Sequence, residues 1–218
     1  MHRKSRKASK NSQATPTGPR VAAIVLAAGQ SRRAGERNKL LAELGDASMI
    51  GHVVRSAVDS DACQVIVVTG HEAVVVQKAL ENYRAEIVHN PEYVSGMAGS
   101  LRIGIQAVCG EMDGALILLG DMPLVGSAQI NQLITEFDPA MEQDIVVPCK
   151  DGRRGNPVLW SARYFPALKA LTGDTGGRGL LIEYSAKVRA VSVIDDAAFT
   201  DFDTADSLAY LDGLMESG

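Results

Sequence analysis

The chain has 218 residues, of which 46% are hydrophobic and 22% charged, with a formal net charge of −4. That is enough chain for one α/β domain with a sizeable core, and the balance is ordinary for a globular protein in water. No apolar run reaches the length needed to cross a bilayer. The three cysteines, Cys63, Cys109 and Cys149, lie far apart and form no CxxC pair, which points to neither a disulfide framework nor a thiolate zinc site and fits a reducing cytoplasm.

Residues 1–20 carry six Lys or Arg and no acid, among Ser, Thr, Gln, Asn and two prolines. They read as a disordered, solubilising tail and lack the apolar core of a secretion signal. The remaining body, 21–218, holds about ten more acids than bases, so neither a nucleic-acid face nor a membrane contact is expected on it. It shows no internal repeat and no long Pro/Gly linker, and is read as a single domain.

In chain order, the first element is the apolar run 21–28, of strand length and without alternation, as in strands buried on both faces of a parallel sheet. Further strands are expected at 63–69, 85–88, 115–119, 145–148 and 188–194. Leu159 and Trp160 are expected in an extra strand near the sheet edge. Helical periodicity falls between them, at 48–58, 72–81, 99–108, 128–136, 176–183 and 205–211. Strand and helix alternating at this spacing predict βαβ units with right-handed crossovers, hence a three-layer α/β fold with a mostly parallel, Rossmann-like sheet. In such sheets ligands bind beyond the carboxyl ends of the strands. Those ends read Ala28-Gly29, Thr69-Gly70-His71, His89-Asn90-Pro91 and Gly120-Asp121-Met122-Pro123.

The first of these ends is the most informative. After Leu26, Ala27, Ala28 and Gly29 come Ser31, Arg32, Arg33, Arg37 and Lys39. A glycine lets backbone amides approach phosphate oxygens, Arg offers them a planar fork, and Lys a point charge. The spacing is neither Walker A nor GxGxxG, and an exposed basic loop is the plain alternative. Asp121, after an apolar strand, is placed to hold Mg²⁺ beside substrate phosphates, or else caps the next turn. Asp203 either caps the last helix or reaches the same metal. Gly96 to Arg102 is a loop entering a helix whose amides and Ser100 can take an anion or a base, unless it is only a helix start. Asp174, Gly177 and Arg178 form a glycine-rich turn suited to a second anionic group. The histidines show no metal spacing, and no GxSxG or activated cysteine supports covalent hydrolysis.

Taken together, these residues resemble the nucleotidyltransferases of molybdenum cofactor biosynthesis, the cytidylyltransferase branch more than the guanylyltransferase branch. The resemblance covers nearly all of 21–211. Leu26-Ala-Ala-Gly29-Gln-Ser31-Arg-Arg-Ala-Gly35, with Lys39, looks like the family's nucleotide signature, with Ala34 where Met is usual. Ala28 stands where the guanylyl branch has another glycine, which favours a pyrimidine. The resemblance implies nucleotide contacts from Leu26, Ala27, Ala28, Gly29, Ser31, Arg32, Arg33, Lys39, Thr69, Gly70, Ser100 and Gly120. It implies catalytic roles for Lys39, Asp121 and Arg32, and Mg²⁺, with Mn²⁺ as an alternative, on Asp121 and Asp203. On the acceptor side, Asn156 and Pro157 fall where the cytidylyl branch has Gly-His-Pro, and Asp174, Gly177 and Arg178 fall in an element like its Gly-Asp-x-Gly-Ala-Arg. The implied activity is transfer of CMP from CTP to the terminal phosphate of molybdopterin, in contact with a molybdoenzyme or its maturation chaperone. A related transferase with another phosphorylated acceptor, and a non-catalytic nucleotide- or molybdopterin-binding protein, are the alternatives.

Overall fold

The computed structural model describes residues 18–29, 38–174, 176–194, 196 and 199–200. Most of the expected tail (1–17) and the expected last helix lie outside them. In chain order the elements are β1 (Val21–Ala27), β2 (Glu43–Leu44), β3 (Ala47–Ser48), α1 (Met49–Val58), β4 (Gln64–Thr69), α2 (Ala73–Ala79), β5 (Glu86–His89), α3 (Met97–Ala107) and β6 (Gly114–Leu119). They continue with α4 (Ser127–Glu136), β7 (Ile145–Lys150), β8 (Arg153–Arg154), β9 (Val158–Ser161), α5 (Phe165–Ala170), α6 (Arg178–Glu183) and β10 (Val188–Ser192).

The fold is the expected α/β one. One sheet runs in the order β10-β7-β9-β6-β1-β4-β5, with β8 paired to β7. β1 pairs in parallel with both β4 and β6, β4 with β5, and β7 with β10. Side chains alternate between two apolar layers, which is why the strands read as unbroken hydrophobic runs. Val21, Ala23, Val25, Val65, Val67, Leu116 and Leu118 face the layer formed by α1, α2 and α4. Ile24, Ile66, Val68, Ala115 and Ile117 face the layer formed by α3, α5 and α6. Gly104 on α3 lets that helix lie close on the sheet: a Cβ there would come 2.5 Å from Cγ2 of Ile24 and 3.1 Å from Cγ2 of Val68.

Leu159 and Trp160 do lie in a strand, but not near an edge. β9 is inserted antiparallel between β6 and β7, and its four residues are buried. Four apolar or small residues covered on both faces need a strand on each side, and an edge would leave one backbone ladder open. The antiparallel return is prepared by a tight turn at Asp151 (φ 50°) and Gly152 (φ 76°). Positive φ at both central residues is the two-residue hairpin geometry that Asp-Gly favours. The β2–β3 hairpin and α5 were also not visible as periodic runs, because they are only two and six residues long.

At the amino end of β7, the fully buried Asp144 accepts a hydrogen bond from Tyr164 Oη at 2.9 Å, and Arg163 Nε lies 2.8 Å from its other oxygen as an ion pair whose N–H points off the hydrogen-bond line. Burial, and then the hydrogen bond to this carboxylate, push the Tyr164 hydroxyl up to about 12. A raised folded-state value stabilises the fold fully below pH ~10, and this contribution is lost as pH climbs through the folded value. Tyr164→Phe is therefore expected to remove Tyr164's share of the loss of stability between pH 10 and about 12, and to cost about 1–3 kcal/mol at neutral pH by stripping a donor from a buried carboxylate. Urea unfolding at pH 8 and at pH 11 measures both. Gly104→Ala is expected to lower stability by roughly 1–3 kcal/mol, because the β-branched Ile24 cannot swing its Cγ2 aside. Thermal unfolding checks it, and an unchanged midpoint would contradict the close packing.

Candidate functional site

The chain lays β4 and β5 to one side of β1 and then returns to place β6 on the other. That reversal leaves a crevice outside the carboxyl ends of β1 and β6, where open α/β sheets bind ligands. Both walls are built by close backbone approach. Gly120 donates its N–H to Leu26 O at 3.0 Å, and a Cβ there would stand 3.0 Å from that oxygen and 3.0 Å from Ile50 Cδ1. On the other side a Cβ at Gly70 would come 2.8 Å from Ala28 O and 2.5 Å from Tyr93 Cβ. Leu26 and Ala27 are ladder residues of β1, and Ala28 is buried just beyond it. Gly29 is exposed, and a Cβ there would meet none of the described residues within 4 Å.

Into this crevice the structure brings a cation and an anion from different loops. Lys39 begins a single 3-10 turn, 39–41, whose first free amide, Leu40 N, is capped by Asn38 Oδ1 at 3.2 Å. Leu40 is buried beside the Gly120 backbone. The chain leaving this turn is locked by the β2–β3 hairpin. His52 Nε2 donates to Leu44 O at 2.6 Å, which leaves Nδ1 to accept from Arg55 at 2.9 Å. Arg55 also grips Asp46 through two hydrogen bonds and holds that carboxyl below its ordinary range. From this anchored turn Lys39 Nζ donates to Asp121 Oδ2 at 2.7 Å, with the lysine side chain 11% exposed and the aspartate 24%.

The other expected residues fall into two groups. Thr69 is buried, and its hydroxyl donates to Val88 O at 3.2 Å, tying β4 to β5. Ser100, on the first turn of α3, accepts from Asn90 Nδ2 at 3.0 Å. Asn90 is 1% exposed, takes Glu92 N on its other side-chain atom, and bonds Thr69 O through its own N–H. Asn90 is among the polar strand ends of the sequence, where a lone Asn before Pro reads equally well as a turn. Asn156 and Pro157 precede β9, whose register sets Val158 against Ile117. The antiparallel run therefore delivers them beside Leu118 and Leu119, and their peptide bond is cis. Pro157 lines a small apolar hollow with Leu118, Leu119, Met122 and Val125.

Asp174 points at the start of α3. Its Oδ1 accepts from Met97 N at 3.3 Å, and Gly173 O accepts from Ala98 N at 3.2 Å, so the first amides of α3 are closed by this turn. Gly177 packs on the Trp160 ring, and Arg178 is exposed at the start of α6. Ser31, Arg32, Arg33 and Asp203 lie outside the described residues.

Among the described residues no group of three or more His, Cys, Asp or Glu forms a metal cage. A single, partly exposed hard carboxylate at the end of β6 nonetheless fits Mg²⁺, which is commonly held by one or two carboxylates together with substrate phosphates. No helix among the described residues is long and apolar enough to cross a membrane.

The chain is 26% identical over 197 residues to nicotine blue oxidoreductase of Paenarthrobacter nicotinovorans, covering 87% of this chain and 95% of that one. It is 37% identical over 108 residues to the bifunctional protein GlmU of Dinoroseobacter shibae, but spans only 24% of the length of that protein. The crystal structure of Rv0371c from Mycobacterium tuberculosis superposes with a TM-score of 0.78 at 30% identity, over 90% of this chain and 100% of that one. Rv0371c is also known as a complex with manganese, at a TM-score of 0.71, 27% identity and 91% of this chain against 100% of that one. The family model for the MobA-like NTP transferase domain matches residues 23–188, and the chain belongs to this family of nucleotidyltransferases.

Proposed function

We propose that the chain transfers CMP from CTP to the terminal phosphate of a molybdopterin-type acceptor and releases pyrophosphate. The observation that carries this reading is the Lys39–Asp121 pair, at the same end of the sheet as the exposed Gly29. An oxygen of the acceptor phosphate attacks the α-phosphorus. A new P–O–P bond forms, the bond from the α-phosphorus to the bridging oxygen breaks, and its electron pair leaves with pyrophosphate. The acceptor is already anionic, so no general base and no covalent enzyme intermediate are required. The barrier is repulsion between anions. Asp121, with Asp203 as a second contact, would hold Mg²⁺, which would supply charge neutralisation and a template for the phosphates. Lys39 and Arg32 bind triphosphate oxygens, and the amides at Gly29 approach them closely. Ser100 and its partner Asn90 fix the loop at the nucleotide end.

Asn156, Pro157, Asp174, Gly177 and Arg178 form the acceptor side, with Arg178 orienting an anionic group. Asn156 offers hydrogen bonds without a charge. The contact between Asp174 and Met97 couples this side to the nucleotide loop.

A second reading is favoured by the near full-length likeness to a protein named as an oxidoreductase. It would use the same crevice for two-electron transfer from a reduced nicotinamide or flavin donor to an oxidised organic acceptor, with no nucleotidyl transfer.

Pyrophosphate release is the decisive measurement, with Mg²⁺, CTP or GTP, and molybdenum-loaded molybdopterin, against a control without acceptor. Release with CTP only in the presence of the pterin is the expected result. Silence with every nucleotide, together with consumption of a reduced donor, would replace this reading by the second. Asp121→Asn, which keeps the side-chain shape, is expected to lower kcat by roughly a thousandfold while the protein stays folded. A folded variant with full activity would remove Asp121 from the chemistry.

A further inference from the structure

Lys39 and Asp121 are paired at 2.7 Å, and both side chains are mostly covered. Mg²⁺ needs carboxylate oxygen at about 2.0–2.1 Å and sheds its waters reluctantly. An ammonium seated on the same oxygen opposes such an ion by occupying the oxygen and by repelling a second cation at contact range. Lys39 is held there by its surroundings, since the Asn38 cap and buried Leu40 fix the turn that carries it. A partly buried carboxylate left without a cation would be costly, so leaving this pair needs a replacement charge on each side.

We propose that Lys39 is the resident counter-cation of Asp121 and keeps free divalent metal off this carboxylate until a nucleoside triphosphate arrives. The triphosphate offers Lys39 a new anionic partner, and the metal it carries takes the vacated place on Asp121. Each anion exchanges one cation for another, and neither is left bare. Metal and nucleotide therefore bind as a unit, and the nucleotide-free protein binds metal weakly at this point. The inference rests on the reading of Asp121 as the metal carboxylate.

Binding of Mn²⁺ alone to the full, nucleotide-free chain, followed by the electron paramagnetic resonance of the free ion, tests it. Lys39→Met is expected to bind Mn²⁺ at least roughly tenfold more tightly than the unaltered protein. Lys150→Met removes the same charge at the same end of the sheet but from a lysine paired with Asp196 at 2.8 Å, and is expected to change affinity by less than roughly twofold. Adding Asp121→Asn to Lys39→Met is expected to erase the gain. Lys39→Gln serves if thermal melting shows the Met variant unfolded. Equal or weaker Mn²⁺ binding in a folded Lys39 variant, a gain that survives Asp121→Asn, or an equal gain from Lys150→Met would each overturn the proposal. These results are separable from the functional reading. Absence of pyrophosphate release leaves the Mn²⁺ comparison standing, and unchanged Mn²⁺ affinity with normal turnover removes only this inference.

Discussion

Val21–Ala27 is hydrogen-bonded in parallel to a strand on each side, and its side chains are covered on both faces of the sheet. A strand so placed can change direction only at its ends, so its exit at Ala28–Gly29 is fixed in space by the ladder behind it. Two glycines tighten that constraint. Gly70 and Gly120 bring the neighbouring strand ends within contact distance of the β1 backbone, leaving no room for a methyl group. Both therefore act first as packing residues, whatever their amides do toward a ligand. The crevice is rigid at its floor because it is made of main chain, and its chemistry comes from a few side chains mounted on that floor.

The charge arrangement is equally sparing. The folded body carries an acidic excess, yet one lysine is sunk into it and neutralised locally by one aspartate. Its mounting is indirect: Asn38 caps the turn, Leu40 anchors it, and His52 with Arg55 and Asp46 secures the chain beyond it. A buried histidine in this role shows no metal spacing, and it has none to show. It is consumed by a carbonyl on one nitrogen and a guanidinium on the other.

How much of this was legible in the sequence depended on the length scale of each signal. The strands 21–27, 64–69 and 114–119 announced themselves as apolar runs, and α1, α3 and α4 as periodic ones, because a sustained core-facing pattern outweighs local propensity. The placement of Asp121 at a carboxyl end came directly from its strand, and the structure adds that its partner is Lys39, a contact across 82 positions that no local pattern carries. β9 was harder. Four buried residues look alike at an edge and in the middle, and only the Asp151–Gly152 turn distinguishes the two. Asp174 shows the converse limit. A glycine-rich turn reads as a ligand loop, while its hydrogen bond to Met97 gives it an architectural task that depends on a helix 77 positions away.

The antiparallel course of β9 has a consequence for how this scaffold can change. The parallel strands β1, β4 and β6 reach the ligand rim with their carboxyl ends, so altering the rim there means altering the segment attached directly to a core strand. β9 arrives with its amino end, and the hairpin before it, Lys150 to Asn156, is a detour that leaves β7 and returns beside it. Residues added or exchanged in that detour land at the rim next to Leu118 and Leu119 and disturb neither β1 nor β6. The scaffold thus separates a fixed half, which the ladder forbids to move, from a replaceable one. Selection or design can reshape this part of the rim by rewriting one short hairpin while the β1 and β6 ends are left untouched.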